Sequence, residues 1–271
     1  MLSSILSKLL TPRPLPPNDV LEKSFPLMRK MLFRSDRVLH SELLSVLSIL
    51  SQDRSPQIFQ RFIDDHLFSP ILFLLQKQDS SSLLVESALE IIFNFCSFSA
   101  GNCQYLICLG LLPVFQIVLK KHTNITARAN TCRCLTVIAS SCPMFISFEV
   151  LLECGLVFQV LIETKRKTRH AEECFLMLTS LPTLPSHLAY LLRNDVIILL
   201  KSMLHSETLT AAATNKIISL LEKILLARDA DELPLIAAVE IQSVIGFELR
   251  KLMASEDPEI SGRAKAIMEL E

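Results

Sequence analysis

Glycine is scarce in this 271-residue sequence, with only 5 in the whole chain, about a quarter of what average usage of roughly 7% would supply. Strands joined by tight turns draw on glycine for their positive-φ positions, so the shortage disfavours a β-rich fold and favours helices. Charge of one sign is also not in excess. The net charge is -1 and the pI about 6.6, which removes any global field for nucleic acid or anionic lipid. A secretory leader is not recognisable, because Met1 to Leu10 carries Lys8 near its end and has no long apolar region. The cysteines Cys96, Cys103, Cys108, Cys132, Cys134, Cys142, Cys154 and Cys174 are therefore expected as reduced thiols. They form no C-x-x-C pair and have no histidines at zinc spacing, which leaves buried free cysteine as their reading. Catalytic patterns are missing as well: no nucleophile elbow, phosphate-binding loop, dinucleotide fingerprint or H-E-x-x-H pair. The chain is read as non-enzymatic, without cofactor or metal.

One stretch lacks charge altogether, from Glu90 to Lys120, longer than the ~20 residues of a membrane-spanning helix. Asn94, the polar run from Gly101 to Gln104, Gly110 and Pro113 interrupt it. Three short buried helices are expected there, with no membrane insertion.

What is abundant is apolar sequence, 50% hydrophobic against 20% charged residues, enough for a large core. It is organised as a repeat. LGLLPVF from Leu109 and CGLVFQV from Cys154 are alike, and SPILFLL from Ser69, FPLMRKM from Phe25, NDVIILL from Asn194 and IGFELRKL from Ile245 occupy the same place. The period is roughly 40 to 50 residues, in the range of armadillo and HEAT repeats. Each unit reads as a short helix, a turn, a second helix, a polar loop and a longer third helix. Third helices are expected from Ser82, Ile125, Arg169 and Thr210, each carrying apolar residues at helical spacing. Gly110, Gly155 and Gly246 fall at the first turn, where a left-handed residue ends a helix, and Asn194 is expected to fill that role in its repeat. The fold expected is all-α: a right-handed α-solenoid of about five or six three-helix armadillo repeats over residues 20–271. Residues 1–19, with Pro12, Pro14, Pro16 and Pro17, form a stiff lead-in.

On these residues the chain resembles the armadillo repeats of importin alpha. The similarity is clearest from Ile218, where ISLLEKILL precedes the acidic loop Asp229 to Glu232 and the closing run from Ile241 to Leu270. The resemblance implies a concave surface lined by third helices, on which a repeated tryptophan and an asparagine one turn later grip an extended peptide. Asn94 matches an asparagine position with Glu90 where tryptophan would stand, and Arg133 and Val137 hold the corresponding places one repeat on. The chain has no tryptophan, and nothing like the family's basic importin-beta-binding segment is recognised. The resemblance implies a protein-binding transport adaptor, cytoplasmic or nuclear, that takes an extended partner segment.

Glu86, Glu90 and Asn94 fall at successive i+4 spacings and so share a helix face. With Asn130 and Arg133 they are the candidate partner-binding residues of the concave groove; a solvated helix face is the competing reading. Lys77, Lys120, Lys121, Lys165, Arg166, Lys167 and Arg169, together with Arg34, follow second helices and are expected to stack as a basic ridge. Solvated loops explain that ridge more readily than nucleic acid does. A mean hydropathy of +0.42 is high for an elongated protein, and it motivates the alternative of a permanent structural subunit or scaffold in a larger complex.

Overall fold

The computed structural model describes residues 18–34, 36–53, 55–77, 81–142, 146–166, 169–181, 184–205, 209–227, 239 and 241–269. Among them all regular structure is helical. The helices are α1 (Asn18–Leu32), α2 (Arg37–Gln52), α3 (Pro56–Asp64), α4 (Phe68–Gln76), α5 (Ser82–Phe98), α6 (Ala100–Cys108), α7 (Leu111–Lys121) and α8 (Ile125–Ser141). They continue with α9 (Phe148–Glu153), α10 (Leu156–Lys165), α11 (Arg169–Ser180), α12 (Pro185–Arg193), α13 (Val196–Leu204) and α14 (Ala211–Leu226). A π-helical turn, Ile241–Ile245, then leads into α15 (Gly246–Met253) and α16 (Pro258–Glu269).

The helices recur in threes, each repeat ending in a long third helix: α2, α5, α8, α11, α14 and α16. Local chemistry sets their starts. Asp36, Ser81, Asn124 and Thr210 cap α2, α5, α8 and α14 by accepting hydrogen bonds from first-turn amides that have no partner inside the helix. Proline stands at the first turn of α3 and α12, where its missing N–H costs nothing. The chain folds as an all-α solenoid of armadillo-type repeats. Its residues gather into two compact units, one reaching Ile146 and including Cys154–Gln159, the other comprising Ser147–Glu153 and Val160–Glu271.

The uncharged stretch between Glu90 and Lys120 divides over the end of α5, α6 and most of α7. Among the described residues no single helix is long and apolar enough to cross a membrane, and α6 and α7 meet at 76°. The core of the first unit is an aromatic chain running from α1 to α6. Phe25 meets Phe62 edge-on at 5.5 Å between ring centroids, Phe62 leans on Phe68 at 5.6 Å, and Phe68 on Phe95 at 4.3 Å. Phe59 and Tyr105 close around Phe95 at 5.3 Å and 6.2 Å.

The left-handed turn is present but is only partly glycine. Gly110 (φ +89) and Gly155 (φ +67) adopt it as expected. Gly246 does not: its φ is not positive, because the π-helical turn carries the chain into α15 without a break. In the NDVIILL repeat the left-handed residue is Asp195 (φ 61), one position beyond Asn194, which has φ -106. One repeat before Gly110, His66 (φ 50) fills the position. A Cβ in this region costs about 1–2 kcal/mol. His66→Gly should therefore stabilise the protein by roughly 0.5–1 kcal/mol after glycine's own entropy loss; an unchanged or lowered urea midpoint would contradict the strain.

Candidate functional site

In the first unit α2, α5 and α8 lie side by side, and hydrogen bonds between residues about one repeat apart tie them together. Ser41 and Ser81 hydroxyls meet at 3.3 Å between α2 and the cap of α5. Asn124 donates from Nδ2 to Glu86 Oε1 at 2.9 Å while its Oδ1 caps α8. The Cys134 thiol donates to the Leu89 carbonyl at 3.5 Å. On the side away from the core each helix leaves a stripe partly open to solvent: Ser41, Glu42, Ser45 and Ile49 on α2, Glu86, Glu90 and Phe93 on α5, Asn130, Arg133 and Val137 on α8.

Four of the five expected groove residues belong to these stripes. Asn94 does not. It is 4% exposed and donates from Nδ2 to Ser51 Oγ at 2.9 Å, while that hydroxyl donates to the Ser48 carbonyl. Its i+4 spacing from Glu90 places it where α5 meets α2, and an amide buried there must bond internally. Glu90 receives Arg133 Nη1 at 3.4 Å, and the same guanidinium lies over the Phe93 ring with its carbon 3.5 Å from the centroid. Asn130 shares the Arg133 face and makes no side-chain hydrogen bond among the described residues. Phe93 and Glu42 were not singled out from the sequence, and no role in joining helices was read for Asn124. Phe93 was findable, since it stands three residues after Glu90 on the same stripe; the Asn124 bond joins residues on different repeats and has no local signal.

The second unit repeats this arrangement with other residues. Lys223 of α14 donates to the Thr179 carbonyl of α11 at 3.4 Å. Arg263 of α16 grips Glu222 of α14 with two bonds, at 2.9 and 2.6 Å, and reaches Asn215 at 3.3 Å. The Glu222 carboxylate holds the Arg263 guanidinium further toward its charged form.

The basic-ridge residues follow second helices, with different surroundings in the two units. Arg34, Lys77, Lys120 and Lys121 are exposed and have no acidic partner among the described residues. Lys77 sits 4.7 Å over the Phe73 ring, and Lys120 and Lys121 stand in the last turn of α7, where the helix dipole favours cations. Lys165 pairs with Asp195 at 3.1 Å and Arg166 with Glu163. Lys167 and the side chain of Arg169 lie outside the described residues, as does the acidic loop Asp229 to Glu232.

Six of the eight cysteines are buried, and Cys108 is exposed. The Cys103 thiol donates to the Cys96 carbonyl at 3.2 Å and the Cys142 thiol to the Ala100 carbonyl at 3.1 Å. The side-chain hydrogen bond between the Cys96 and Cys103 thiols, with burial behind it, pushes Cys96 well above the usual thiol range, and burial pushes Cys142 up to about 11. Among the described residues no group of three or more histidine, cysteine or acidic side chains is placed to hold a metal.

No protein-family model matches the sequence, and no curated protein matches it. Solved structures do. Computationally designed armadillo repeat proteins for modular peptide recognition are 19% identical over 91% of this chain and 99% of theirs, with a TM-score of 0.69. The designed armadillo repeat protein YIII(Dq)4CqI is 19% identical over 91% and 99%, with a TM-score of 0.65. A third, YIII(Dq.V1)4CPAF in complex with the peptide (KR)4, is 19% identical over 91% and 98%, with a TM-score of 0.64. Likeness at this identity is likeness of fold, and it agrees with the repeat spacing, the three-helix units and the stacked third helices: the chain has the armadillo-repeat fold.

Proposed function

We propose that this chain is a non-enzymatic binding scaffold that holds an extended segment of a partner protein along its third helices, as an adaptor of importin-alpha type working in the cytoplasm, the nucleus or both. The observation that carries the reading is the open stripe shared by α2, α5 and α8, which offers Glu42, Glu86, Asn130 and Arg133 side by side across three repeats. An extended backbone has unpaired N–H and C=O groups at regular intervals, and side chains repeated at the spacing of the third helices suit it. The designed relative that binds (KR)4 supports the same use of the fold. The missing tryptophans mean that any ligand is gripped by polar groups more than by stacking.

The test starts from partners captured by the full chain and identified by mass spectrometry, with the binding segment mapped and synthesised as a peptide. Glu42→Ala combined with Asn130→Ala should weaken that peptide at least about tenfold, near 1.4 kcal/mol, with melting unchanged because neither residue is buried. Full affinity in this variant would refute the groove. A second reading, a structural subunit of a larger assembly, draws on Val38, Leu83 and Ile125. These first-turn residues of α2, α5 and α8 are 68%, 58% and 62% exposed, an aliphatic row suited to burial by a permanent partner. An isolated chain that stays monomeric and soluble counts against it.

A further inference from the structure

The open stripe of the first unit brings an aromatic ring, a carboxylate and a guanidinium of the same chain together at one point. Phe93 presents its ring face and Glu90 its carboxylate three residues before it on α5. Arg133 reaches over from α8, with its guanidinium carbon 3.5 Å from the ring centroid and Nη1 3.4 Å from Glu90 Oε2. An aromatic face beside a carboxylate is the pairing that recognises ammonium and guanidinium groups.

Nothing in the packing requires Arg133 to be there. The Arg133 and Glu90 side chains remain 37% and 31% exposed, and α5 and α8 are already joined by the Asn124–Glu86 and Cys134–Leu89 bonds. Arg133 donates one hydrogen bond, leaving its other N–H groups without a partner among the described residues. On the open stripes of α2, α5 and α8 the other charged side chains described are Glu42, Glu86 and Glu90. Arg133 is thus the cation that balances an otherwise acidic surface.

We propose that Arg133 is a built-in occupant of a cation subsite formed by Phe93 and Glu90, and that it sets the specificity of the groove by turning away lysine and arginine side chains at this step. The inference rests on the groove reading. A ligand that passes this point opposite Arg133 presents an acceptor, a backbone carbonyl or a carboxylate, to the free guanidinium N–H groups. A basic side chain enters only by displacing Arg133 from both the ring and the carboxylate.

The experiment titrates the full chain with a fluorescent peptide of alternating lysine and arginine, read by anisotropy at constant salt, with melting recorded for every variant. Arg133→Ala should bind the peptide at least about tenfold more tightly than the unaltered chain. Arg133→Lys, which keeps a cation over Phe93, should stay near the unaltered affinity. Adding Glu90→Gln or Phe93→Leu to Arg133→Ala should remove the gain. Arg133→Ser serves in place of alanine if alanine lowers the melting temperature. No gain in Arg133→Ala, or a gain that survives both Glu90→Gln and Phe93→Leu, overturns the proposal. The groove reading fails separately: a gain lost with Glu90→Gln and Phe93→Leu but untouched by Asn130→Ala supports the cation subsite and shows that the peptide does not run along the stripe. Equal binding to the unaltered chain and Arg133→Ala, weakened by Asn130→Ala, keeps the groove and overturns the occupant.

Discussion

Phe95→Ala should lower stability by about 3–5 kcal/mol, read from the midpoint of urea unfolding at unchanged slope. Phe95 is fully buried on α5 and touches Phe59 of α3, Phe68 of α4 and Tyr105 of α6. Truncation removes the transfer free energy of the ring and leaves a cavity shared by two repeats, with three aromatic neighbours stripped of a partner. Those neighbours are themselves tied into the Phe25–Phe62–Phe68 chain, so collapse into the space requires several rings to move together. Phe98→Ala is the internal comparison. That ring also meets Phe59, at 5.0 Å, but is 40% exposed, and its loss should cost well under half as much. Equal costs would mean that the aromatic chain is not the centre of this core.

The second large effect is expected at Gly155. Valine there must hold φ near +67, a conformation that β-branched residues essentially do not adopt. Its Cβ would also stand 3.2 Å from Gln116 Nε2, so the cost should reach about 2–3 kcal/mol. Gly110→Ala, with φ +89 and open space around the new atom, isolates the backbone part at about 1–2 kcal/mol. Gly246→Ala should behave in the opposite sense. Its φ is not positive and no side chain beyond its two chain neighbours lies within 4 Å of a new Cβ, so alanine stabilises by about 0.4–1 kcal/mol through the unfolded chain. A destabilised Gly246→Ala would show that the closing repeat does use the glycine turn the sequence suggests.

Sequence pattern read four of the six third helices almost to the residue. Ser82, Ile125 and Arg169 begin α5, α8 and α11, and Thr210 caps α14. The reason is local: an apolar stripe of helical period marks each of them, and in α5, α8 and α14 a capping side chain precedes it within a few residues. The glycine turn was legible only where glycine marks it. His66 and Asp195 adopt the same conformation because the helices on either side hold them there, and a residue accepting strain leaves no compositional trace.

The candidate groove divides along the same line. Glu86, Glu90, Asn130 and Arg133 could be placed on helix faces by counting residues, because the face of a third helix follows from its own period. The character of each residue could not. Asn94 is in register with Glu90, yet Ser51 on a neighbouring repeat turns it into an internal strut. Arg133 looks like an interruption in an acidic track until Phe93 is seen beneath it. The ridge behaves likewise: Lys120 is open and Lys165 is paired only because Asp195 comes to it from the next repeat.

By itself, then, the sequence determined the helical class, the repeat period and the starts of the four third helices α5, α8, α11 and α14, since these depend on composition and on interactions within one turn or one helix. Tertiary structure alone decided which polar groups are spent inside the solenoid and which face outward, where the left-handed turns fall when glycine is absent, and that the cation subsite is already occupied. The polar pairings and the occupied subsite depend on partners about one repeat away, and the turns on how the two flanking helices are held, so no single helix carries that information.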